Sequence, residues 1–305
     1  MSTNERLPFI SVIIPTYNRQ DFLHSAIDSL LRQSYPKDRY EIIVIDDGST
    51  DDTKVLVRGY IGGADCNMKY FRQENRGLST ARNLGVEKSK GEIVAYIDDD
   101  AIAAPDWLSS LADVYLNEEV VCVGGRMWPS FLSKPPWWLS KKMRGVLEYD
   151  LGEDRKLLKE INECPHGSNI SFRKSIFNEL GCFKVNLGRQ KGTLLSGEET
   201  EFCGRILKDG RKIVYEPSAI VAHQIAGDRL TVEYFLKRQY WQGVTKAVYQ
   251  GVMLREMLLD LIRIPYLFVR FILEREPAHF FRSVSSVGYI LYSLRIGFCV
   301  KSKQH

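Results

Sequence analysis

Short apolar runs alternate with helix-length amphipathic stretches through the N-terminal part of the chain. That rhythm constrains the fold more than any other feature. Phe9–Ile14 is an apolar run ended by Pro15, and it reads as a buried strand. Gln20–Gln33 then places Phe22, Leu23, Ala26, Ile27, Leu30 and Leu31 at helical spacing. Glu41–Ile45 is a second apolar run, and it ends on Asp46-Asp47-Gly48, with a helix expected from Asp51. Met68–Phe71 reads as a third strand, Leu78–Lys88 as a helix, and Ile93–Ile97, set off by Gly91, as a fourth strand. Strands alternating with helices predict an α/β fold, a mostly parallel sheet with helices on both faces. Such sheets bind ligands at the carboxyl ends of their strands, which is where Asp46, Asp47 and Asp98–Asp100 fall.

The rhythm breaks after Gly125. The stretch "RMWPSFLSKPPWWLSKK" fits no regular period and reads as a long loop, a common place for function. Trp137 and Trp138 within it suit plain burial, stacking on sugar faces or anchoring at a bilayer interface. Order returns at Gly167–Phe172, with helices at Ser175–Leu180 and Glu198–Lys208 and short strands at Ile213–Tyr215 and Ile220–His223. From Thr231 onward only helical patterns remain, which divides the chain into residues 1–228 and a helical extension, 229–305. Between Val252 and Arg275 the charges gather on one half of the helical wheel and apolar residues fill the rest. That pattern suits a helix packed on a core or one lying in a membrane interface. Pro265 is expected to kink it or to start a new helix.

Composition sets few limits. The 305 residues are 44% hydrophobic and 26% charged, enough for a sizeable core. A net charge of +4, with no basic stripe interleaved with aromatics, argues against a nucleic-acid partner. "MSTNERLPFI" lacks an apolar export region. The scattered cysteines (Cys66, Cys122, Cys164, Cys182, Cys203 and Cys299) therefore read as reduced, mostly buried thiols.

Three stretches carry chemistry. In "VAYIDDDAIAAPDW" three adjacent carboxylates follow an apolar strand, close enough that one is expected to take up a proton. One of them could simply cap the next helix. Three together suit a hard divalent cation, which takes one or two carboxylates plus substrate phosphates. In "SGEETEFCGRILKDG" Ser196 and Glu199 match a capping box, and Glu201 with Arg205 an i,i+4 pair. Glu198 and Glu199 also open a helix, where the dipole favours ionised carboxylates able to act as general bases. Finally, "SVIIPTYNR" and "IVIDDGSTDDT" place Thr16 and Asp47 at strand ends, within reach of a nucleobase or ribose.

Together these pieces resemble the family 2 glycosyltransferases of GT-A fold. "VIIPTYNR", "VIDDGSTDDT", "NRGLSTARNLGV", "IDDD", "HGSNISFRK" and "GEETEFCGRIL" stand in that family's order, over roughly Pro8 to His223. The resemblance implies a GT-A Rossmann-like sheet with a donor site at Pro15, Thr16, Tyr17, Asp47, Arg82, Asp98, Asp99 and Asn169. It also implies Mn²⁺ or Mg²⁺ held by Asp100 and Asp98, with His223 either a further ligand or a structural histidine. The catalytic base is Glu199 or its neighbour Glu198, with Glu199 favoured by segment alignment. Glutamate stands there where the family usually has aspartate. The implied activity is inverting transfer of a sugar from a nucleoside-diphosphate sugar, UDP first, to a hydroxyl of a glycan or lipid-linked acceptor in envelope or exopolysaccharide synthesis. A noncatalytic nucleotide- or glycan-binding protein and a sugar nucleotidyltransferase are the rivals. The first has no need of an acidic helix start. The second normally needs a Gly-rich phosphate loop that "IPTYNR" lacks. The expected setting is cytoplasmic, with peripheral contact at the inner face of the plasma membrane through the C-terminal helices.

Overall fold

The computed structural model describes residues 7–63, 67–190 and 192–301, with side chains to 296. Strands β1 (Ile10–Thr16), β2 (Tyr40–Asp46), β3 (Asn67–Arg72) and β4 (Ile93–Ile97) run parallel in the order β3-β2-β1-β4. Helices α1 (Gln20–Leu31), α2 (Thr53–Ile61) and α3 (Leu78–Lys88) make the crossovers. Then come β5 (Ala101–Ala103), β6 (Val120–Phe131), β7 (Lys156–Leu158), β8 (Asn169–Arg173) and β9 (Lys212–Ile225). They extend the sheet as β4-β8-β6-β9-β5, with β7 pairing β9 off this path. The ladders β4–β8, β6–β8, β5–β9 and β7–β9 are antiparallel.

Alternate residues of the parallel strands serve two cores. Ile10, Val12, Ile14, Ile42 and Val44 pack with Leu23, Ile27 and Leu30 of α1, and with Trp107, Leu108 and Leu111 of α4 (Trp107–Val114). Ile13, Ile43 and Ile45 face the other way, toward Ala81 and Val86 of α3. Ile176 and Phe177 of α5 (Ser175–Leu180) and Phe202 and Ile206 of α6 (Glu198–Lys208) share that second core. The strands are buried on both faces, which is why they read as continuous apolar runs.

The chain divides into two compact units. One comprises Met1–Ser130, Leu147–Val185 and Glu198–Gln224, and carries the sheet. The other comprises Phe131–Val146, Asn186–Gly197 and Ile225–His305. Its framework is α7 (Val232–Gln250), α8 (Leu254–Glu274) and α9 (Pro277–Lys301). Two glycines let α7 and α9 meet at backbone distance. A Cβ on Gly243 would lie 1.9 Å from the Ser285 carbonyl oxygen, and one on Gly288 would lie 2.2 Å from that of Tyr240.

Several local expectations are corrected. The presumed loop after Gly125 begins as the continuation of β6, because Met127 exchanges backbone hydrogen bonds of 2.8 and 2.9 Å with Tyr149. The two short strands expected around Pro217 are one strand, β9. Its proline falls between the residues paired with β7 and those paired with β5, so no ladder donor is lost to either. Pro265 does not break α8, which runs through it to Glu274. Ser196 is not a cap: α6 starts at Glu198 after Gly197 at φ +90°, and the Ser196 hydroxyl accepts from Arg238 Nη1 at 3.3 Å. Cys122, Cys164 and Cys203 are buried free thiols and Cys182 is exposed, while Cys66 and the Cys299 side chain lie outside the described residues.

Candidate active site

Strand ends bring the acids together. β1 ends on Thr16, and β4 ends one residue before the Asp98–Asp100 triplet. The three aspartates point three ways, and Arg19 is shared by two of them, Asp99 and Asp100. Asp99 turns inward, where the Thr16 hydroxyl donates to its Oδ2 at 2.8 Å and Arg19 Nε lies 3.9 Å from Oδ1. Burial and the charge of Asp100 push its carboxyl up to about 7, outweighing Arg19 and Thr16. Asp99 is thus pushed toward holding a proton, which would relieve the crowding.

Asp100 is also buried. Its Oδ2 accepts from Arg19 Nη2 at 2.8 Å, and its Oδ1 lies 3.5 Å from His223 Nε2. Register fixes that neighbour: β5 pairs Ala101 with His223, and the Gln224 N–H donates to the Asp100 carbonyl at 2.8 Å. His223 Nδ1 sits 3.3 Å from the Leu147 carbonyl oxygen. A carbonyl can only accept, so Nδ1 is the donor in this contact, and Nε2 is the nitrogen that faces Asp100.

Asp98 faces outward, its side chain 34% exposed, and accepts from Arg82 Nη2 at 3.2 Å. The other terminal nitrogen of Arg82 pairs with Glu198 Oε1. One buried guanidinium therefore ties the acid triplet to the first residue of α6. Gly167 makes room for it, since a Cβ there would come within 2.3 Å of Arg82 Nη2. Desolvation, then the charge of Glu199, raises Glu198 to about 8 against the pull of Arg82. Arg82 is raised in turn: Glu198, then Asp98, outweigh its desolvation. Glu199 is half-buried beside this pair, whereas Glu198 is buried. Further along α6, Glu201 pairs with Arg205 at 2.9 Å, as its spacing predicts.

The remaining expected donor residues divide. Tyr17 is exposed next to the buried Pro15 and Thr16. Asp47 uses both oxygens on the chain itself: it accepts from Gln73 Nε2 (2.6 Å), the Arg76 N–H (2.9 Å) and the Gly77 N–H (2.9 Å), fixing the approach to α3. Asn169 is not brought to the site surface. Its Oδ1 accepts from Trp107 Nε1 at 2.8 Å, and its amide donates to the Arg126 and Ala219 carbonyls at 2.8 Å each. Arg19, which clamps two of the aspartates, was missed by sequence reasoning. Its only signal is its place in "PTYNR", just past the end of β1.

The donor set fits a hard divalent cation. Asp100 supplies carboxyl oxygen, and His223 turns Nε2 to the acid's side with its other nitrogen against a carbonyl, the usual support for a metal-ligating histidine. Among the described residues no three His, Cys, Asp or Glu side chains gather closely enough to hold an ion unaided. Mg²⁺-type sites commonly complete their shell with substrate phosphates.

Known proteins resemble this chain in sequence and in fold. The family model "Glycosyl transferase family 2" matches residues 11–181, more than half of the 305-residue chain. A glucosyl-dolichyl phosphate glucuronosyltransferase of Haloferax volcanii is 31% identical over 243 residues, which span 78% of this chain and 76% of that protein. Two solved structures share the fold at 19% identity. A mannosyltransferase from Pyrobaculum calidifontis in complex with GDP-Man and Mn²⁺ has a TM-score of 0.61 over 95% of this chain and 74% of its own. GalNAc-T7 with UDP, GalNAc and Mn²⁺ has a TM-score of 0.57 over 80% of this chain and 50% of its own.

Proposed function

Since the chain belongs to glycosyl transferase family 2 and is a glycosyltransferase acting from a nucleotide sugar, we propose that it is an inverting enzyme whose general base is Glu199 and whose acceptor is a lipid-linked glycan. The observation that carries this reading is the Arg82 bridge. It holds Asp98, at the mouth of the strand-end acid cluster, and the acidic start of α6 on one guanidinium. Binding a nucleotide alone calls for no carboxylate beside the cluster, whereas transfer to a hydroxyl calls for a base there.

Each residue then has a task. Tyr17 and the backbone at Pro15 and Thr16 would line the nucleoside side. Asp100 and His223, with Asp98, would hold Mn²⁺ or Mg²⁺, which when bound supplies positive charge against the leaving diphosphate. Arg19 holds Asp99 and Asp100 in place. Arg82 keeps Glu198 engaged, which leaves the half-buried Glu199 to take the proton of the acceptor hydroxyl. That oxygen forms the new bond to the anomeric carbon, as the bond to the diphosphate breaks on the opposite face. The lipid-linked acceptor is supported by the name of the archaeal relative, which acts on a glucosyl-dolichyl phosphate. Peripheral membrane contact is supported by the amphipathic α8. Among the described residues no helix is long and apolar enough to cross a membrane.

The test is calorimetric titration with UDP, with Mn²⁺ and then with EDTA, followed by GDP and dTDP. Metal-dependent binding of one nucleotide is expected, and the Glu199→Gln variant should bind equally while losing transfer. Near-normal turnover in that variant would refute the base assignment.

A further inference from the structure

Two features of the helical unit take no part in the proposed transfer chemistry. The first is an exposed apolar stripe on α8. Leu254, Leu258, Ile262, Tyr266, Val269 and Leu273 recur every three or four residues and are 71, 53, 68, 57, 51 and 76% exposed. The stripe is about 28 Å long at 1.5 Å per residue. Soluble surfaces rarely leave a continuous apolar patch of that extent uncovered. The second feature is a cavity of about 440 Å³ lined by residues of α7, α8, α9 and the 142–146 segment, within the range of small-molecule sites.

The cavity is rich in cations. Lys142, Lys246, Arg263 and Arg282 line it, against one lining carboxylate, Asp260. Asp260 is buried, and its Oδ1 accepts from Ser286 Oγ at 2.9 Å and from Arg263 Nη1 at 3.0 Å, so it steadies Arg263. Lys246 pairs with Glu256 at 2.7 Å, while Lys142 reaches Glu276 only at 3.8 Å. Arg282 is exposed and has no counter-ion among the described residues. Arg263 also lies 3.8 Å from Glu256, so against Asp260, Glu256 and Glu276 the four cations leave one in surplus, Arg282, and an unmatched guanidinium suits a phosphate.

The two features share one helix. Arg263 and Leu267 of α8 line the cavity, and their neighbours Ile262 and Tyr266 stand on the stripe. An anion seated at Arg263 lies beside an apolar track, and a freely diffusing phosphate has no use for such a track. We propose that the cavity seats the phosphate headgroup of the lipid-linked acceptor, with its hydrocarbon chain and the surrounding bilayer surface covering the α8 stripe. This rests on the reading of the acceptor as lipid-linked, and it adds the headgroup chemistry and the residues that recognise it.

The test uses the full chain and three kinds of vesicle: phosphatidylcholine alone, with a polyisoprenyl phosphate, or with phosphatidylglycerol at matched surface charge. Sedimentation should show at least fivefold tighter binding to the polyisoprenyl phosphate vesicles than to the charge-matched ones. The double variant Lys142→Gln/Arg282→Gln should erase that preference, lowering the affinity for polyisoprenyl phosphate roughly tenfold or more, as about 1 kcal/mol per cation implies. Leu258→Glu with Val269→Glu should abolish binding to both anionic vesicles. Equal binding to the two, a preference that survives the double variant, or binding to none would overturn the proposal. Binding of inorganic phosphate to the full chain without any lipid preference would assign the cavity to free phosphate instead. Nucleotide titration of the same samples separates the two ideas. Intact nucleotide binding without a lipid preference removes only the headgroup site, and the reverse removes the proposed transfer activity.

Discussion

Replacing Arg82 with Gln tests the centre of the site. Removing one partner of a buried pair costs about 3–5 kcal/mol when it strands a charge. Here the stranded group is Glu198, which burial and Glu199 already hold at about 8. Below that value it keeps its proton, so the cost falls to that of buried hydrogen bonds left unmade, about 1–3 kcal/mol. The Asp98 contact adds little, because that side chain is 34% exposed and screened by solvent. A raised pKa means that the stability Glu198 contributes is fully present below its ordinary 4.5 and is lost as pH rises through about 8. Without Arg82 the opposing cation is gone and the folded-state value climbs further. The window of loss then extends above 8 by up to about 1.4 kcal/mol per pH unit. The variant should therefore trail the native protein by about 2 kcal/mol near pH 6 and by about 3–4 kcal/mol near pH 9. Urea unfolding followed by circular dichroism at the two pH values reads both gaps. Adding Glu198→Gln should make the gap independent of pH. A gap equal at both pH values, or one under about 0.5 kcal/mol, would refute the assignment of Arg82 as the counter-ion of a buried Glu198.

Gly167→Ala pushes a methyl group against the Arg82 guanidinium, which two carboxylates hold in place. A loss of about 1–3 kcal/mol is expected, with a larger loss of transfer than of nucleotide binding; unchanged thermal stability would show that Arg82 can yield. The two adjacent tryptophans should separate. Trp138 packs edge-on to Phe235 at 5.2 Å and stacks on Phe281 at 5.7 Å, so Trp138→Ala should destabilise the helical unit by about 2–4 kcal/mol. Trp137 is 92% exposed, and Trp137→Ala should leave chemical denaturation within about 0.5 kcal/mol of native. Equal effects would contradict this packing.

Much of this was legible because local patterns dominate where strands are buried on both faces. Ile93–Ile97, Leu78–Lys88 and Glu198–Lys208 coincide with β4, α3 and α6. What escaped depends on partners distant in sequence. The end of β6 is held by Tyr149, and no local pattern around Trp128 and Pro129 announces that bridge. Arg82 meets Glu198 across 116 residues, so its spacing shows only a helical arginine. Asn169 sits in a family motif, yet its amide is taken up by Trp107, Arg126 and Ala219. A motif identifies the position but not whether the side chain faces a ligand or the core.

The same logic explains why three adjacent aspartates persist at one strand end. The chain turns at the triplet, where the Ala101 N–H donates to the Asp98 carbonyl at 3.1 Å, so the three side chains diverge into three environments. Asp99 locks β1 to the site through Thr16, Asp100 faces His223 under the hold of Arg19, and Asp98 looks outward beside Arg82. Across Asp98–Asp100, Glu198 and Glu199, five carboxyl groups share two guanidinium groups. Burial answers part of that imbalance by raising the proton affinity of Asp99 and Glu198. Under the proposed activity a diphosphate would bring more negative charge to the same place. On the proposed reading, a divalent cation held by Asp100 and the Nε2 of His223 would offset that charge.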